Sequence, residues 1–143
     1  PGAGFEQWRA YNRSQPDMDI AALMNRGTPV LSDAEAAAYG APFPDVTYKA
    51  GARTFPELVM TDPGMEGVDI SKRAADWWAK DWTGDSFMAV GAQDPVLGPA
   101  QMDTLRKTIR DCPEPLILPD AGHFVQEWGE PVALAALKSF GEL

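Results

Sequence analysis

The stretch "PLILPDAGHF", residues 115–124, decides how this chain is read. Three apolar residues lie between prolines, and Asp120, Gly122 and the only histidine, His123, follow at once. A short apolar run bounded by turn residues has the pattern of a strand buried on both faces. A second run of this kind, "SFMAVG" (86–91), leads into "GAQDPVLGP" (91–99), so an acid, Asp94, follows one strand as His123 follows the other. Between them "GPAQMDTLRKTIRDC" (98–112) predicts a helix that starts at Pro99 and turns Leu105 and Ile109 inward. "EPVALAALKSF" (130–140) predicts a last helix with Pro131 in its first turn.

Strand, helix, strand, helix implies parallel strands joined by a crossover, hence an α/β fold. Two parallel strands make a poor sheet by themselves, because such sheets are wider and covered on both faces. The expectation is that further strands belong upstream of Pro1 and that these residues are the C-terminal part of a larger α/β protein.

The residues before this region read as helices separated by Pro and Gly. "GFEQWRAYNRS" (4–14) spaces Phe5, Trp8 and Tyr11 at helical intervals, and "MDIAALMNRG" (18–27) sets Ile20, Leu23 and Met24 on one face. "SDAEAAAYG" (32–40) opens with Ser32 and Glu35 at capping-box spacing. "DVTYKAGARTFPELVM" (45–60) looks helical but is expected to break at Pro56, which lacks a backbone donor. "DPG" at 62–64 marks the expected boundary, dividing a helical domain, 1–63, from an α/β part, 64–143. After it "VDISKRAADWWAKDW" (68–82) is amphipathic, with Ile70, Ala74, Trp77 and Trp78 on one face. Trp77, Trp78, Trp82 and Trp128 read as packing residues and are assigned no chemistry.

Composition narrows the function. With 12 basic and 21 acidic residues the net charge is −9, against nucleic acid or an anionic membrane as partner, since phosphate binding needs clustered cations. The densest basic group, Arg106, Lys107 and Arg110, reads as a solvated helix face. The single cysteine, Cys112, forms neither an intrachain disulfide nor a thiolate zinc site, and reads as a buried thiol in a reducing, cytoplasmic setting. No apolar run approaches the roughly 18 residues of a membrane span. The N-terminal "PGAGFEQW" has no basic-then-apolar leader, so no signal peptide is expected.

Ligands of open parallel sheets bind beyond the carboxyl ends of the strands, where Asp94 and His123 both fall. An acid followed by histidine on successive strand ends is the order that closes an α/β-hydrolase triad: the acid orients the imidazole, which takes a proton from a nucleophile or from water. Asp120 is a rival partner for His123, and each residue also has a bland reading, as a turn former or an exposed side chain.

"FMAVGAQDPVLGP" (87–99) together with "CPEPLILPDAGHFVQEWGEPVALAALKSF" (112–140) closely resembles the C-terminal part of haloalkane dehalogenases, in the branch that carries its catalytic acid after the strand corresponding to 86–91. The resemblance extends through "GFEQW", "SDAEAAAYGAPFPD" and "FPELV", and so over nearly the whole chain. It implies a helical cap (1–63), the C-terminal part of an α/β-hydrolase core (64–143), and hydrolysis of small haloalkanes through an aspartyl ester that a His-activated water resolves. It further implies Asp94 as catalytic acid, His123 as base, and Trp8 as a donor to the leaving halide ion. Phe5, Phe55, Pro56, Val59 and Leu97 match positions lining the apolar pocket, each with core packing as its alternative. No metal or organic cofactor is implied, because carboxylate and water do the chemistry.

The nucleophilic aspartate should precede both residues in the chain, and no strand–nucleophile–helix elbow occurs in 1–143. These residues alone are therefore expected to be inactive, with the nucleophile in a missing N-terminal core segment. An epoxide hydrolase shares the fold and the Asp, His and acid. It needs cap tyrosines as proton donors, for which Tyr11, Tyr39 and Tyr48 are available, but "GFEQW" favours the halide reading. A non-catalytic helical binding module is the alternative from another class.

Overall fold

Two three-residue strands hold the α/β part together: β1 (Ala89–Gly91) and β2 (Leu116–Leu118). They pair in parallel, Ala89 with Leu116, Val90 with Ile117 and Gly91 with Leu118. The Leu116 N–H donates to the Met88 carbonyl at 2.9 Å, just before the paired residues. The computed structural model describes residues 2–143. The chain divides into two compact units, one ending at Pro63 and the other running Gly64–Leu143.

The first unit holds α1 (Ala3–Ser14), α2 (Ile20–Gly27), α3 (Asp33–Gly40) and α4 (Ala50–Leu58), with a 3-10 turn, Val46–Lys49, leading into α4. α3 starts as its sequence predicts: the Ser32 hydroxyl accepts the Glu35 N–H, and the Glu35 carboxylate accepts the Ser32 N–H at 2.8 Å. α2 and α3 pack so closely that a Cβ on Gly40 would stand 3.1 Å from that of Ala21. α1 lies against α4, where buried Asn12 donates to the Arg53 carbonyl at 2.9 Å and the Arg13 guanidinium grips both Glu57 oxygens, at 2.8 and 2.6 Å. Those Arg13 hydrogen bonds hold the Glu57 carboxyl below its usual range. Buried Lys49 pairs with Asp17 at 2.6 Å, which satisfies its ammonium. Contrary to expectation, Pro56 does not break the helix. It lies inside α4, which ends two residues later, so the missing donor falls in the last turn.

The second unit adds α5 (Val68–Lys80), α6 (Pro99–Thr108) and α7 (Gly129–Ser139). Its core joins Met88, Val90 and Cys112, with Met102 and Ile109 against them. Burial raises the Cys112 thiol pKa, opposed by the nearby Arg106 cation. Ile109 packs inward as predicted, but Leu105 does not, at 45% exposure. Met102 and Arg106 share the inward line of α6 at helical spacing, Ile109 follows just past the end of the helix, and Leu105 falls to one side of that line. Arg106, mostly buried, pairs its guanidinium with Asp103 and Glu114. Lys107 pairs with Asp103 and Arg110 with Asp111, so the densest basic cluster is matched by acids.

A further expectation is corrected. β2 is not buried on both faces, since Ile117 is 42% exposed. No residue of α5 is buried, and Trp77, Trp78 and, just past the helix, Trp82 meet one another edge-on or tilted, with ring centroids 4.8–5.6 Å apart, so they pack as read. A two-strand sheet has too little surface to cover a helix stripe and both strand faces. No helix among the described residues is long and apolar enough to cross a membrane.

Candidate active site

Two arms leave the carboxyl ends of β1 and β2. The acid arm carries Asp94, whose side chain is only 7% exposed. Its Oδ1 accepts the N–H groups of Val96, at 2.8 Å, and Leu97, at 2.9 Å. Asp-Pro suits this turn, because Pro95 has no N–H and the carboxylate reaches past it to the next two donors. Gly98 ends the arm where a Cβ would stand 2.5 Å from the Asp94 carbonyl oxygen.

The base arm runs from Leu118 to His123 and turns sharply, the Ala121 N–H donating to the Leu118 carbonyl at 3.2 Å. The arms cross at Gly91, where a Cβ would lie 2.5 Å from the Gly122 oxygen and 2.6 Å from that of Ala121. Only glycine permits that approach.

The crossing brings His123 Nδ1 to 2.9 Å from Asp94 Oδ2. An ionised carboxylate only accepts, so Nδ1 carries the proton in this contact and the Nε2 lone pair is left free. The Phe124 ring stands edge-on to the imidazole at 5.4 Å, while the His123 side chain keeps 43% of its surface exposed. Such a pair can remove a proton at Nε2 and hold the resulting imidazolium against a carboxylate.

Of the residues singled out in the sequence, the structure thus joins Asp94, His123 and Leu97, the last through its backbone N–H. The Leu97 side chain is 49% exposed. Asp120, the rival acid, is not the carboxylate that Nδ1 meets. Phe5, Trp8, Phe55, Pro56 and Val59 belong to the first unit. Phe5 and Pro56 are buried, the former with the Arg9 guanidinium 5.7 Å from its ring centre. Trp8 is half-buried, its ring 6.1 Å from that of Tyr11, whereas Phe55 and Val59 are exposed. Sequence reasoning did not single out Gly91 or Gln93, whose importance depends on the other arm and leaves no local signal.

A cavity of about 440 Å³, lined by Trp82, Ser86, Arg110 and Pro113 among others, lies where the chain enters β1 and β2. That is the amino end of the strands, opposite the acid and histidine, so this cavity is not where the chemistry-bearing pair sits. No cluster of three or more His, Cys, Asp or Glu suited to a metal occurs among the described residues.

Parallel strands whose carboxyl ends deliver an acid and then a histidine in mutual hydrogen bond match the C-terminal part of an α/β-hydrolase fold. Comparison with known proteins narrows the class. No family model matches the chain. It is 37% identical over 125 residues to a haloalkane dehalogenase of Mycolicibacterium paratuberculosis, covering 86% of this chain and 41% of that protein. It is 35% identical over 136 residues to one from Psychrobacter cryohalolentis, covering 92% and 44%. Its backbone superposes on a tetrameric haloalkane dehalogenase of Paraglaciecola agarilytica with a TM-score of 0.93 and 39% identity, over 99% of this chain and 48% of that one. In sequence and in backbone the chain is a relative of haloalkane dehalogenases, and it spans about two fifths of the length of the curated relatives it matches.

Proposed function

We propose that the protein carrying these residues hydrolyses the carbon–halogen bond of small haloalkanes. The unit ending at Pro63 serves as its cap and Gly64–Leu143 as the C-terminal part of its core. An aspartate from outside these 143 residues displaces halide from carbon and becomes an alkyl ester. Water deprotonated at His123 Nε2 then attacks the ester carbonyl, and release of the alcohol regenerates the carboxylate. Asp94 holds the imidazole and offsets the charge it gains. The Trp8 indole N–H, a donor without an acceptor lone pair, binds the departing halide. Phe5, Phe55, Pro56, Val59 and Leu97 contribute the apolar wall that keeps water from the first step.

The observation that carries this reading is the 2.9 Å contact between His123 and Asp94 at adjacent strand ends. Haloalkane, water and halide are the only small molecules the reaction requires, and on this reading residues 1–143 alone release no halide. A cytoplasmic setting accords with a single buried, free thiol. The test is to assay the complete protein on a 1-bromoalkane and on the matching terminal epoxide. Bromide release without epoxide opening is expected; the reverse would assign the site to epoxide hydrolysis. In the same protein Trp8→Ala is expected to abolish bromide quenching of tryptophan fluorescence, and unchanged quenching would remove Trp8 from the halide site.

A further inference from the structure

The acid arm meets the base arm through three donors: Ala92 N–H to the Leu118 carbonyl at 3.0 Å, Gln93 N–H to that of Ala121 at 2.9 Å, and Gln93 Nε2 to that of Pro119 at 3.1 Å. Gln93 supplies two of the three, from the position next to Asp94. The carbonyls it engages flank Asp120 at the corner of the base turn, and only Gly122 separates Ala121 from His123. The side-chain bond is the one backbone pairing cannot replace, because Pro119 lies beyond the last register pair, Gly91 with Leu118.

From this we infer that Gln93 is a positioning residue: its amide pins the corner of the base arm so that His123 Nδ1 stays within hydrogen-bond reach of Asp94 Oδ2. The geometric tolerance is small, since an N–H···O bond is lost when its heavy atoms move from about 2.9 Å to beyond about 3.5 Å. The 43% exposed imidazole has solvent as the alternative partner for its N–H. Functional consequences of this placement rest on the proposed role of His123 as base, but the coupling of Gln93 to the imidazole does not.

Imidazole ¹⁵N spectroscopy on the complete protein tests the inference, with the His123 signals identified by their loss in His123→Gln. Gln93 is exposed, so replacing it empties no core. Gln93→Ala is expected to shift the Nδ1–H tautomer equilibrium toward the solvent mixture by about two- to tenfold, the worth of one neutral hydrogen bond. Gln93→Glu, of the same size but with no donor at neutral pH, should do the same and serves if the alanine variant folds poorly. Gln93→Lys, which keeps an N–H donor of similar reach, should restore the parent spectrum. A spectrum unchanged in both Gln93→Ala and Gln93→Glu would overturn the inference, as would a Lys variant that resembles Ala. Normal turnover in His123→Gln would instead remove the proposed base and leave any Gln93-dependent shift standing, so the two failures are distinguishable.

Discussion

On the proposed function, replacing His123 by glutamine in the complete protein is expected to stop turnover after the first chemical step. Carboxylate attack on carbon needs no base, so halide should still be released once per active site. Hydrolysis of the ester does need one, because neutral water is a poor nucleophile and glutamine cannot take its proton. General-base assistance is worth about 10²–10⁴-fold, and the steady-state rate should fall by that order. Intact-protein mass spectrometry should then show a population carrying the alkyl group, and its amount should match the burst of halide. Normal turnover, or slow turnover with no trapped ester, would place the water-activating group elsewhere. The prediction leans on Asp94, which leaves Nδ1 protonated and Nε2 open in the parent; glutamine in place of His123 offers no such lone pair.

Gly91→Ala is the substitution expected to do most damage to the framework. Its methyl would meet the carbonyl oxygens of Gly122 and Ala121 at 2.5 and 2.6 Å, both main-chain atoms that cannot rotate aside. Overpacking of this kind costs typically about 1–3 kcal/mol. Relief requires the base arm to move off β1, which would carry His123 away from Asp94. The expected outcome is a lower unfolding midpoint together with loss of the Nδ1–H···Oδ2 signature in the imidazole spectrum. If Gly91→Ala keeps both, the arms have more slack than their crossing allows.

Much of the local structure was legible because it is written in neighbouring residues. Ser32 and Glu35 announce a capping box by spacing alone, and Pro99 marks the start of α6. The two apolar runs locate both strands, though only three residues of each pair. Strand length is set by how far two backbones stay in register, which neither run contains. Leu105 was misplaced for a similar reason: its apolar character was visible, but the inward line of α6 is chosen by the core it faces, which selected Met102 and Ile109. The face of α5 bearing Trp77 and Trp78 is amphipathic in sequence, yet no residue of α5 is buried.

By itself the sequence determined that Asp94 and His123 follow successive strands, hence that both stand at the carboxyl edge of a parallel sheet. It also contained the long match to haloalkane dehalogenases, which composition and charge could not supply. Only the tertiary structure decided that Asp94, not Asp120 nearer in sequence, accepts the hydrogen bond from Nδ1–H. The same holds for the crossing that demands glycine at 91 and for Gln93 bridging to Pro119. The physical reason is that these contacts span about 26 to 31 residues of chain and are fixed by the parallel register of Gly91 with Leu118. A side chain's chemistry can be read where it stands, but its partner depends on which strand ends lie side by side.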